Sequence, residues 1–173
     1  ASILEYNGVK KTQKWLKGLV NNFVRPPQGN DRAQILLVAS GKAKLAIANS
    51  YYYALMLSGK KGIEQKKAAE KVMPIFPNQK NRGTHINISG AGILKFSQNK
   101  KSAERFLEFL LTDEVQSEFS NNSYESPIVS NIKTSKLLGN INKGFKEDVL
   151  IDVSIYGKRQ AEAFKLMKQA GWN

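Results

Sequence analysis

Apolar positions recur at helical spacing over residues 9–20, VKKTQKWLKGLV. Val9, Trp15, Leu16, Leu19 and Val20 fall near one face and lysines take the others. Arg25-Pro26-Pro27-Gln28-Gly29 ends that helix, because two prolines and a glycine cannot continue it. Asn30 then reads as an N-cap and Asp31 suits the positive end of the dipole. Ala33 to Val38 continue a second helix, with Gly41 as its C-terminal cap. The short apolar run Leu45-Ala46-Ile47-Ala48 follows at once and predicts a strand, a helix–strand step of the kind found in α/β layers.

Further along, Ala54-Leu55-Met56-Leu57 stops at Ser58-Gly59, and a lysine-rich helix is predicted over 63–71. Residues 72–76 are short and apolar, consistent with another strand. Pro77-Asn78-Gln79-Lys80-Asn81-Arg82-Gly83 is the plainest linker in the chain. His85-Ile86-Asn87-Ile88 alternates with period two and reads as strand. After the small run Ser89-Gly90-Ala91-Gly92, Ile93-Leu94 resumes one. Asn99 is placed to cap an amphipathic helix with Ala103, Phe106, Leu107, Leu110 and Leu111 on one face. Thr112-Asp113-Glu114 starts another that should bury Val115 and Phe119 and end at Asn121-Asn122-Ser123. Residues 124–156 are less regular, and a last helix is expected over about 157–170.

Asn49-Ser50 and then three consecutive tyrosines, Tyr51, Tyr52 and Tyr53, follow the 45–48 run. Neighbouring side chains of a strand point to opposite faces, so adjacent phenols converge only where the strand ends and the backbone turns. Asn49 and Ser50 are residue types that begin such turns. Two phenol oxygens aimed at one point would suit a hard cation, which prefers anionic oxygen to sulfur or imidazole. Two readings stay open on the residues alone: a metal-binding pair, or aromatics packed as wall or core.

Composition narrows the chemistry. The 173 residues allow one ordinary domain with a real core. With no cysteine there is no disulfide framework, thiolate metal site or cysteine nucleophile, and the lone His85 removes any multi-histidine zinc cluster. His85 itself is expected to be structural. No serine–histidine–acid arrangement or paired carboxylates in a plausible cleft can be found, so the chain is not expected to be an enzyme. No stretch approaches the ~20 apolar residues of a membrane span, and Ala1 opens straight onto helix without a secretory signal, so the start reads as internal.

The net charge of +13 is uneven: residues 1–78 carry 13 basic and 4 acidic side chains, 79–173 carry 14 and 10. Such a balance favours anionic partners. Most of these lysines, however, occupy the polar positions of amphipathic helices, and no Lys or Arg lies between Lys44 and Lys60, around the tyrosines. A nucleic-acid-binding module that stacks bases on the tyrosines is therefore the alternative reading.

Several stretches resemble one family, the ferric-ion-binding periplasmic proteins of bacterial ABC importers, and look nearest to its cyanobacterial-type branch. They are Lys17-Gly18-Leu19-Val20, Arg25-Pro26-Pro27-Gln28-Gly29-Asn30-Asp31-Arg32, Ile47-Ala48-Asn49-Ser50-Tyr51-Tyr52-Tyr53 and Phe76-Pro77-Asn78-Gln79. Arg82-Gly83-Thr84-His85-Ile86-Asn87-Ile88-Ser89-Gly90-Ala91-Gly92 and the closing Lys165-Leu166-Met167, Ala170-Gly171-Trp172 complete the set. The resemblance departs at Ala54-Leu55, where the branch often has Gly and Arg, and at Glu125-Ser126-Pro127, where the family has Glu-Tyr-Pro.

The resemblance implies an α/β type II periplasmic-binding-protein fold, of which this chain looks like roughly the second half. Residues 1–76 would form a carboxy-terminal lobe with the tyrosine motif. Residues 77–122 would be a hinge crossing and return segment through the other lobe, and 123–173 a tail packing back on the first. It also implies Fe(III) as cargo, with Tyr51 and Tyr52 as tyrosinate ligands and Tyr53 packing beside them. Asn49, Asn30 and Arg32 become candidates near the iron or for an accompanying anion such as carbonate. The implied partner is a membrane ABC permease, the compartment periplasmic, and the complete protein a monomer that needs no nucleic acid. The same fold with a different small ligand is a further alternative. With one lobe only, weak iron affinity is expected.

Overall fold

The computed structural model describes residues 1–172 and divides into two compact units. The first is built from residues 1–29, 76–86 and 145 to the end of the described chain. Its long helix α1 (Ser2–Asn21) bends at Gly8, whose φ of 70° lies outside helical space. Glycine adopts that conformation without the Cβ penalty other residues meet. Thr12, buried one turn beyond, donates its hydroxyl to the Ile3 carbonyl at 3.2 Å. Helix α8 (Ser154–Gln169), the last element in the chain, packs along α1, and Leu4, Leu16 and Leu166 form the buried core between them. Phe23 and Trp172 close its end edge to face, with ring centroids 5.2 Å apart.

The crossing segment is tied to the tail by one parallel bridge. Thr84 N–H donates to the Lys146 carbonyl and Asp148 N–H to the Thr84 carbonyl, each at 2.8 Å. Gly83 makes this possible: its φ is 96°, and a Cβ there would lie 2.5 Å from the Glu147 carbonyl oxygen. Gln79 reinforces the join, donating to Thr84 Oγ1 and accepting from Lys146 N–H at 2.6 Å. Phe76 and Phe145 stack at 4.5 Å beside it.

The second unit holds residues 30–75 and 87–144. Helices α2 (Asp31–Ala39), α3 (Ser50–Leu57) and α4 (Ile63–Ala69) surround Ile35, Met56 and Ala69, with Tyr52, Tyr53, Leu57 and Val72 packed against that core. Asn30 caps α2 as its sequence predicts, its side-chain oxygen accepting from Ala33 N–H at 3.2 Å. Helix α5 (Lys100–Leu110) buries none of its residues. Helix α6 (Asp113–Glu118) buries Gln116, while Val115 and Phe119 are half-buried; a π-helical turn, Phe119–Ser123, then ends on Tyr124 in the left-handed region. Gln116 and Ser120 are buried because each serves backbone: Gln116 accepts from Ile128 N–H and Ser120 from Ser135 N–H. Helix α7 (Lys136–Ile141), which the sequence pattern does not announce, packs on α3.

The predicted strands do not form among the described residues. Segments 45–48, 72–76, 85–88 and 93–94 belong to no strand, and the one β-bridge is that of Thr84 with Glu147. A strand is completed by a neighbour that takes up its N–H and C=O groups, and these segments have none. Residues 1–29 and 30–75 fall in different units, and the tail splits at 144/145.

Candidate metal centre

The tyrosines lie in the first turn of α3, a correction to their expected place at a strand end. Asn49 is the N-cap residue, with extended backbone, and Tyr52 N–H donates to its carbonyl at 3.2 Å. Side chains one residue apart on a helix are fanned by about a quarter-turn, yet Tyr51 and Tyr52 meet. Their ring centroids are 4.2 Å apart with planes inclined at 36°. The Tyr51 phenol is pushed up to about 12, by its hydrogen bond with Tyr52 first, then by burial, then by the negative charge of Tyr52, Asp31 and Glu125. The Tyr51 phenol therefore holds its proton at neutral pH, and a metal would have to displace it.

Tyr53 points elsewhere. Its hydroxyl donates to the Val72 carbonyl at 3.2 Å, its ring packs on the Ile35–Met56 core, and burial raises its pKa. Of the other candidates, Asn49 stands nearest the pair in sequence and is held by charge. Its Nδ2 donates to Asp31 Oδ2 at 2.9 Å, its backbone N–H reaches the same oxygen at 3.4 Å, and its Oδ1 accepts from Asn87 Nδ2. Asn30 spends its side-chain oxygen on the α2 cap. Arg32 reaches α4, donating to Gln65 Oε1 at 3.3 Å, while its Nε is buried without a partner.

Two carboxylates flank the pair. Asp31, which the sequence offers as a ligand in isolation but explains as a first-turn carboxylate on the helix dipole, joins the start of α2 to the start of α3. Glu125 lies close enough for its charge to act on Tyr51, and nothing in its sequence neighbourhood signals this. His85 lies in the other unit, edge to face with Tyr156 at 5.1 Å, its pKa lowered chiefly by burial. Among the described residues no group of three or more His, Cys, Asp or Glu side chains could hold a metal ion.

A solute-binding scaffold is what this architecture and its relatives define. Residues 2–117 match the bacterial extracellular solute-binding proteins, and the chain belongs to that family. Over 172 residues it is 41% identical to iron uptake protein A1 of Synechocystis sp., covering 99% of this chain and 47% of that protein. It is 28% identical to the major ferric iron-binding protein of Neisseria meningitidis, covering 98% of this chain and 48% of that one. Among solved structures it superposes on the Trichodesmium protein IdiA (FutA) in complex with iron and citrate, with a TM-score of 0.92 and 44% identity over 99% of this chain and 54% of that chain. The ferric binding protein of Campylobacter jejuni matches with a TM-score of 0.94 and 37% identity over the same shares. These neighbours assign the α/β type II periplasmic-binding-protein fold, and the chain spans about half the length of the curated relatives it matches. No described helix is long and apolar enough to cross a membrane.

Proposed function

We propose that the protein to which this chain belongs captures Fe(III) in the periplasm and hands it to an ABC permease for uptake. Tyr51 and Tyr52 are its ligands from this half. The observation that carries the reading is the convergence of their rings at the start of α3, in a chain whose relatives are named for ferric iron. Each phenol loses its proton to the metal as it binds, because a trivalent cation strongly favours the phenolate beside it. Those two carboxylates add negative charge beside the incoming cation. Asn49, whose amide is oriented by Asp31 and Asn87, would donate to an anion sharing the iron, such as carbonate. The role is capture and release, and no bond of the solute is made or broken.

The test is optical. Fe(III) added to the complete protein produces a visible phenolate-to-iron absorption band, and replacing Tyr51 and Tyr52 with Phe removes it. A band that survives the double substitution rejects the assignment. The isolated chain should bind Fe(III) far more weakly than the complete protein, since further ligands must come from elsewhere. Equal affinity in a calorimetric titration would contradict that.

A further inference from the structure

Between Glu5 and Asp31 the chain carries no acidic side chain, while Lys10, Lys11, Lys14, Lys17 and Arg25 fall in that interval. The four lysines sit on α1 and all are exposed. At 3.6 residues per turn, Lys10, Lys14 and Lys17 share an arc of roughly 60°, and Lys11 flanks it. The arc lies away from Thr12 and Leu16, which α1 buries. Its exposure follows from the charge itself, since lysine heads stay in water whatever covers a helix's apolar side.

The other helices mix their charges. Glu64 answers Lys67 in α4 at 3.8 Å, and Glu162 answers Arg159 in α8 at 2.9 Å. Helix α5 sets Glu104 and Glu108 among Lys100, Lys101 and Arg105. None of the four α1 lysines makes an ion pair among the described residues. Lys14 instead stands three or four residues from Lys10, Lys11 and Lys17, spacings at which like charges repel on a helix surface. Solvation alone does not call for a single sign, because mixed charges are solvated as well and attract at these spacings. A partner of dense negative charge does call for it.

The residue type narrows that partner. Arginine's planar fork grips one carboxylate or phosphate in two places, whereas lysine is a mobile point charge. Four lysines and no arginine on α1 suit a diffuse layer of anionic headgroups, which attracts clustered lysines within a Debye length. We propose that the Lys10–Lys17 ridge of α1 docks this protein on a membrane surface rich in anionic phospholipid. The choice of a membrane over other polyanions rests on the proposed delivery to a permease: a carrier held at the bilayer searches for its permease in two dimensions, not three.

Co-sedimentation of the whole chain with vesicles at low salt tests this. The chain should pellet with mixed phosphatidylglycerol and phosphatidylcholine, stay free of pure phosphatidylcholine, and be released as salt screens each charge. Replacing Lys10, Lys14 and Lys17 together with Gln, a helix former of similar propensity, should weaken binding about a hundredfold. Lys14→Gln alone should weaken it about fivefold, and it serves if the triple variant loses helix by circular dichroism. The same triple exchange at exposed Lys100, Lys101 and Lys133 removes equal charge from the other unit, and should weaken binding less than about fivefold. Equal weakening by the two triple variants would assign the binding to net charge, and equal binding to pure phosphatidylcholine would assign it to apolar surface. Poly-glutamate held through the ridge by a chain that ignores anionic vesicles would point to an acidic protein. Any of these, or no binding to anionic vesicles, overturns the proposal. No iron enters the assay, so its failure is separate from loss of the phenolate-to-iron band.

Discussion

Asn49 Nδ2 donates to Asp31 Oδ2 at 2.9 Å, and the Asn49 backbone N–H converges on the same oxygen at 3.4 Å. One carboxylate at the first turn of α2 thus holds the cap residue of α3, two positions before the first phenol of the pair. Hydrogen bonds to a charged acceptor contribute about 1.5–3 kcal/mol when well buried, and less for a half-exposed pair like this one. Replacing Asp31 with Ala should cost about 1 kcal/mol in chemical denaturation. It should also lower the Tyr51 pKa, because Asp31 is among the charges that raise it. A spectrophotometric phenolate titration with no downward shift would show that Asp31 does not act on the phenol.

Alkaline pH should destabilise the chain within a defined window. Tyr51 and Tyr6 are both pushed up to about 12 from an ordinary 10.0, Tyr51 chiefly by Tyr52 and Tyr6 by burial and then Asp148. A phenol whose folded pKa exceeds its unfolded one binds its proton more tightly when native. Its contribution is fully present below pH 10 and is lost as pH rises toward about 12. The denaturation midpoint should fall across that interval. Tyr52→Phe removes the largest cause acting on Tyr51, so it should make the fall shallower.

Asp148 is the most consequential buried charge among the described residues. It is 2% exposed, accepts from the Tyr6 hydroxyl at 2.6 Å and lies 3.8 Å from Arg82 Nε, whose guanidinium covers the Tyr6 ring. Removing one member of a buried pair leaves its partner uncompensated and typically costs about 3–5 kcal/mol. Asp148→Ala should approach that loss, and Tyr6→Phe should cost less. In a double-mutant cycle the two losses should add to more than that of the double variant. Strict additivity would mean that Tyr6 and Asp148 act independently.

Gly83→Ala should open the join between the crossing segment and the tail. The substitution meets both a positive φ and a Cβ only 2.5 Å from the Glu147 carbonyl oxygen, so backbone must move. A cost of about 1–3 kcal/mol is expected, with faster exchange of the Thr84 and Asp148 amides that form the bridge. Unchanged exchange at both amides would contradict this account.

Local rules were legible where one segment decides its own structure. The 3.6-residue spacing of Trp15, Leu16 and Leu19, the prolines after Arg25, and the Asn30–Asp31 start of α2 all act within a few residues, and the helices stand where they point. Helix α7 escaped because its LLGNI core is too short to show a period, and its buried Leu138 is chosen by contact with distant chain. The tyrosines were expected at a strand end because apolar residues precede them. Asn49 stands instead at the N-cap position with its side chain held by Asp31, and all three tyrosines lie in α3.

What the amino-acid order determined on its own was helices such as α1, α2 and α8, the Asn30 cap of α2, and the identity of the oxygen donors. Hydrogen bonds and apolar spacing close over one or two turns, so no distant partner is needed to specify them. Tertiary structure alone decided that Asp31 seizes Asn49, that Tyr53 turns inward onto Val72, and that Asp148 sits among Tyr6 and Arg82. It also decided that the 45–48 run finds no strand partner among the described residues. Each depends on groups far apart in the chain, and a strand takes its hydrogen bonds from a neighbour that its own residues cannot supply.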